Sequence, residues 1–184
     1  LNELGLADKT VVIFTADHGD MQGSHGLNRI NIFYEEAVRV PLIVSFPCGP
    51  RGIVSDELVS SVNLFPSILD YAGLPKEATA EGTSFALLTL GESQKLAEAV
   101  FSEGGDVPVS EGGPAKDKWF MVRQGKYKLA VTQDGFQPMH LFDLENDPYE
   151  MKNLLDEKDK YSKTTENLQN KIKSWYENIM KRAN

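Results

Sequence analysis

Apolar residues along this chain are arranged in two patterns, and the change between them divides it. Toward the start they come in short unbroken runs. Thr10 to Thr15 reads TVVIFT and Val40 to Phe46 reads VPLIVSF, the second ending at Pro47. Runs so rich in β-branched residues fit strands buried on both faces of a parallel sheet. Leu1, Leu4 and Leu6, with Gly5 and Asp8-Lys9, read as the last turn of an amphipathic helix. A helix end that feeds a buried strand predicts a piece of a larger α/β protein.

Between the two runs lies ADHGDMQGSHG, residues 16–26, a loop by its Gly, Asp and His content. Asn63 is placed to cap a helix over 64–72, with Pro66 in its first turn and Gly73 as a left-handed stop. Residues 76–93 read as loop with one helical turn, and Ala97 to Ser102 as a strand. From Gly104 to Lys118 the composition turns to Gly, Pro, Ser and charge, a boundary or cleft-lining loop.

Beyond it the pattern alternates. KWFMVRQGKYKLAVT predicts two strands around Gln124-Gly125, MHLFDLE a third, and NDPYE a closing turn. Leu168, Ile172, Trp175 and Ile179 form one apolar stripe on a charged helix from Lys158 to Arg182, which is expected to cover the small antiparallel sheet. The expected division is therefore 1–103, an α/β part; 104–118, a boundary loop; and 119–184, an antiparallel subdomain with its terminal helix.

Charge and composition narrow the function. With 19 Lys+Arg against 27 Asp+Glu the formal charge is −8, and no basic stripe is present to bind a nucleic acid. No apolar run approaches the ~20 residues of a membrane span, and the first ten residues lack the pattern of a signal peptide. Cys48 is the single cysteine, and Cys48-Gly49-Pro50-Arg51 reads as a turn.

Candidate chemistry gathers after the first strand. Asp17 and His18 can present an oxygen and a nitrogen to a cation above a sheet. Equally, Asp17 can cap a turn while His18 packs under the loop, and two ligands alone hold a metal poorly. His25 is either a general acid or a residue that holds its Gly-Ser-His-Gly loop. Glu35 and Glu36 with Arg39 read as an exposed ion pair. Arg123, Lys126 and Lys128 read as the charged face of the small sheet, and His140 as a partly exposed sheet residue.

Five segments in order, ADHGDMQGSHGL, YEEAVRVPLIV, SSVNLFPSILDYAGLP, MVRQGKYKL and LFDLENDPYEMKNL, resemble the C-terminal half of the sulfatases, members of the alkaline-phosphatase superfamily. The resemblance implies the C-terminal part of an alkaline-phosphatase-like α/β sandwich, and hydrolysis of a sulfate ester on a small molecule or glycan. It implies a formylglycine nucleophile, made from Cys or Ser in a C/S-x-P/A-x-R motif, held by Ca2+ or another divalent cation. Asp17 and His18 match the family's second pair of metal ligands. The first pair and the nucleophile are expected outside this chain, which alone is expected to be inactive. Family members are often secreted or periplasmic.

Two departures stand out. No C/S-x-P/A-x-R motif occurs, and Ile30 occupies the position of the family's sulfate-binding lysine. Arg29, adjacent, is a candidate anion binder or a solvated loop charge. The missing lysine keeps open a phosphate or phosphonate ester hydrolase of the same superfamily. A non-catalytic binding module is the alternative from another class, with self-association expected if a sheet edge is left bare.

Overall fold

The computed structural model describes residues 1–28, 30–47, 49–105 and 118–183. Two units emerge from it: Leu1–Asp17 with Val40–Glu98, and His18–Arg39 with Ala99–Asn184. The segment 18–39, which its position in the chain assigns to the first part, therefore packs with the C-terminal sheet.

That sheet has four antiparallel strands in chain order: β3 (Val100–Gly104), β4 (Trp119–Gln124), β5 (Tyr127–Thr132) and β6 (Pro138–Asp143). The expected hairpin pairs Gln124 with Tyr127, and Gly125 supplies the left-handed φ of 54° that the tight turn requires. Period-2 alternation then sends side chains to opposite faces. Phe120, Val122, Leu129, Val131 and Leu141 meet Leu168 and Ile172 of the terminal helix α4 (Lys158–Ala183). Phe101 of β3 stacks on Trp175 of that helix, ring centroids 5.0 Å apart. The apolar stripe covers the sheet as its spacing predicts.

The opposite face is equally dry. Trp119, Met121, Ala130 and Phe142 pack with Met21, Ile32, Phe33 and Ala37, the last within the short helix α1 (Glu35–Val38). At the sheet edge Asn31 exchanges two hydrogen bonds with Gly105: its Nδ2 donates to the carbonyl at 2.8 Å and its Oδ1 accepts from the N–H at 3.0 Å. A Cβ on Gly104 would lie 2.2 Å from Asn31 Oδ1, so only glycine permits this approach.

In the other unit β1 (Val12–Thr15) and β2 (Leu42–Ser45) pair antiparallel, with Val12 opposite Ser45. The two strands thus run antiparallel to each other, where each run was expected to lie in a parallel sheet. Phe14 is 59% and Ile43 63% exposed, because a two-stranded ribbon shields neither of its faces and no further described strand joins it. The opening residues likewise form turns and a 3-10 turn at Ala7–Lys9 instead of the end of an amphipathic helix, with Leu1 and Leu4 exposed.

Helix α2 (Leu64–Tyr71) and the turn of helix α3 (Ala86–Thr89) form where expected. Asn63 does not cap α2 with its side chain. Its Oδ1 accepts from the Ser60 N–H at 2.8 Å, closing the preceding 3-10 turn, and its Nδ2 donates to the Thr83 carbonyl. Ser67 Oγ accepts from the Phe85 N–H at 2.9 Å, and Phe85 is buried there beside Tyr71. Of the expected boundary loop, 106–117 lies outside the described residues.

Asn153 ties α4's approach to β6. Its Oδ1 accepts from the N–H groups of Leu141 and Leu155, and its Nδ2 donates to the Met139 carbonyl, each at 3.1 Å. Asn153→Ala removes all three partners and is expected to cost about 2–3 kcal/mol in urea unfolding. Asn153→Asp, which keeps both acceptor bonds, is expected to cost less than the alanine.

Candidate functional site

Asp17 and His18 follow β1 directly and both are exposed. They are consecutive in the chain yet belong to different units. His18 Nδ1 lies 2.8 Å from the Gly19 carbonyl, an acceptor, so Nδ1 carries the proton and donates. In the neutral ring Nε2 then carries the lone pair, the form in which an imidazole ligates a cation. A carboxylate with such an imidazole suits a divalent cation chemically. Among the described residues no group of three or more His, Cys, Asp or Glu gathers to complete a site. Arg29 and Cys48 lie outside the described residues.

Gly19 sets the backbone on which His18 sits. Its N–H donates to the Ala37 carbonyl at 2.8 Å, and a Cβ here would lie 1.9 Å from the Glu36 carbonyl oxygen. Glycine is required because helix α1 passes so close.

Charge patterning along the strands does not reveal the buried cluster around Lys128. Lys128 is fully buried, whereas the alternation of charge suggested a solvated face. Its Nζ lies 2.9 Å from Glu35 Oε1 and 2.5 Å from Glu150 Oε1. Glu150 Oε2 accepts from the Glu35 N–H at 2.6 Å, and Arg123 Nη1 approaches Glu35 Oε2 at 3.4 Å. Glu35 is thus part of a largely buried cluster, not an exposed pair with Arg39. Arg123 and Lys128 stand directly opposite in the β4–β5 register. Two like charges there would repel, and Glu35 with Glu150 offsets them. Burial pushes the Glu150 carboxyl above its ordinary range against the downward pull of Lys128. Strand parity carried the missed signal: Arg123 and Lys128 share the face of Trp119, Met121 and Ala130, all buried.

His25 has a backbone φ of 55°, in the left-handed region, and stacks on Tyr34 with ring centroids 3.9 Å apart. Its Nε2 lies 4.0 Å from Glu36 Oε1, beyond hydrogen-bond reach. His140 is half-buried between the rings of Phe33 and Phe142. Burial lowers its pKa, only partly opposed by Asp156 and reinforced by His25.

Residues 23–178 match the family model described as N-sulphoglucosamine sulphohydrolase, C-terminal. The chain is 34% identical over 179 residues to arylsulfatase K of Mus musculus, covering 95% of this chain and 31% of that protein. A protein solved in complex with its substrate D-glucosamine-2-N,6-O-disulfate shares the fold with a TM-score of 0.82 at 24% identity, over 97% of this chain and 37% of that one. The phosphonate monoester hydrolase of Agrobacterium radiobacter aligns with a TM-score of 0.78 at 26% identity, over 95% of this chain and 36% of that one. The chain spans about a third of the length of these relatives.

Two stability measurements test the buried groups. Lys128→Met leaves Glu150 without its cation and Glu35 with only the Arg123 contact, and is expected to lower the unfolding free energy by about 3–5 kcal/mol. For His140 the folded pKa lies below the ordinary value of about 6.5, so the unfolded chain takes the proton first as pH falls and stability declines below about pH 6.5. Urea midpoints at about pH 7.5 and about pH 5.5 are expected to differ less in His140→Phe than in the unaltered protein.

Proposed function

Because the chain belongs to the sulfatase family, of which it is a C-terminal portion, we propose that the whole protein hydrolyses a sulfate ester on an amino sugar. The observation that carries this reading is the match of residues 23–178 to a family model named for N-sulphoglucosamine hydrolysis. The alkaline-phosphatase-like α/β fold, with its small antiparallel sheet and terminal helix, is that of the sulfated-glucosamine-bound neighbour.

In this proposal Asp17 and His18 supply an oxygen and a nitrogen to Ca2+ or another divalent cation, alongside ligands from outside the chain. The Nδ1 hydrogen bond to Gly19 holds the His18 ring in the ligating tautomer. The cation, when bound, offsets negative charge on the nucleophile and on a sulfate oxygen. Formylglycine, the family's nucleophile, is expected to come from residues outside this chain. His25, stacked on Tyr34 with its side chain 12% exposed, holds the loop at 23–27 in place and is not assigned the proton transfer.

Ile30 supports a second reading. Its apolar side chain cannot donate to a sulfate oxygen, and the phosphonate monoester hydrolase aligns over nearly the whole chain. The discriminating assay offers the whole protein a sulfated glucosamine and a phosphonate monoester. Faster turnover of the sulfate is expected, and a preference for the phosphonate would replace the first reading with the second. Asp17→Ala and His18→Ala are each expected to lower kcat/KM about a hundredfold or more, about 3 kcal/mol of transition-state stabilisation. Unchanged turnover in both would remove these residues from the reaction.

A further inference from the structure

We infer that the buried cluster of Lys128, Glu35 and Glu150 is a positioning device for His18, an inference that rests on the cation-ligand reading of His18 and extends it to residues that touch neither cation nor substrate. An unbroken series of short contacts links the cluster to His18. Glu35 opens α1 and is held at both ends: its N–H by Glu150 Oε2 at 2.6 Å, its carboxylate by Lys128 Nζ at 2.9 Å. Two residues on, the Ala37 carbonyl accepts the Gly19 N–H at 2.8 Å. The Gly19 carbonyl in turn accepts from His18 Nδ1 at 2.8 Å. The imidazole plane is therefore referred through one peptide group to α1, and through α1 to β5 and the turn after β6.

Two observations separate this role from simple packing. Glu150 keeps a φ of 55°, costly for a residue with a Cβ, while its carboxylate reaches the first N–H of α1. A buried charge cluster is also a poor source of stability, since apolar side chains of like volume often do as well, whereas its directional contacts fix one arrangement. Gly19 adds the steric half of the coupling, because any side chain there would drive α1 and the His18 peptide apart.

The test uses the whole protein and three kinds of variant. Lys128→Met breaks the cluster; Lys128→Met with Glu150→Gln breaks it with fewer unmatched charges, in case the single variant does not fold. Gly19→Ala changes no residue of the cluster and severs its link to His18, while His18→Ala serves as the reference. Ca2+ affinity is read by titration calorimetry, and order by amide hydrogen exchange. The cluster variants and Gly19→Ala are each expected to weaken Ca2+ binding about tenfold or more and to speed exchange at residues 18–22, with β4–β6 still protected. A folded cluster variant with unaltered affinity and exchange, beside a His18→Ala that loses affinity, overturns the positioning role. If His18→Ala binds Ca2+ normally, the ligand reading falls, and exchange at 18–22 alone decides whether the cluster orders this segment.

Discussion

An ammonium group stripped of water is tolerable only where opposite charge replaces the lost hydration. Lys128 meets that condition with carboxylates from two parts of the chain, 93 residues upstream at Glu35 and 22 downstream at Glu150. Sheet, closing turn and the 18–39 segment are each needed before the charge is matched. The apolar contacts of Phe33 and Ala37 with Trp119 and Phe142 bring the layers together, but such packing is non-directional and tolerates sliding. The ion cluster and the Asn31–Gly105 pair set which register that layer takes.

The terminal motif acquires a physical meaning from the same contacts. In the run from Asp147 to Leu154, Asp147 closes the turn by accepting from Met151 and Lys152 N–H groups. Glu150 then points inward to α1, and Asn153 bonds to β6. Leu154 enters the core beneath α4. One octapeptide thus fastens both coverings of the sheet, helix on one side and loop-bearing segment on the other.

Much of this was legible from residue order. Strands β4–β6 and α4 bury apolar residues at a fixed period, and a period survives without knowledge of what it packs against. The direction of β1 against β2 was not legible, because an unbroken apolar run reports burial and says nothing of its partner's polarity. Met21, Ile32, Phe33 and Ala37 follow no period, so their cover of the second sheet face was hidden. The burial of Lys128 was not legible, because its charge argues for solvent while only its parity between Tyr127 and Leu129 argues for the interior. Asp17 and His18 were visible as a carboxylate and an imidazole at a strand end, but the hydrogen bond that selects the His18 tautomer arises only once Gly19 has docked on α1.

The chain crosses between its two units three times, at 17/18, 39/40 and 98/99. The C-terminal sheet is therefore not a module that a single cut could release. A piece beginning at Ala99 would turn Trp119, Met121 and Phe142 toward water and leave Lys128 without Glu35. Such a sheet could be neither grafted onto another scaffold nor exchanged between genes as a cassette unless the distant stretch that carries His18 travelled with it, so the covering layer and the candidate ligand are inherited together.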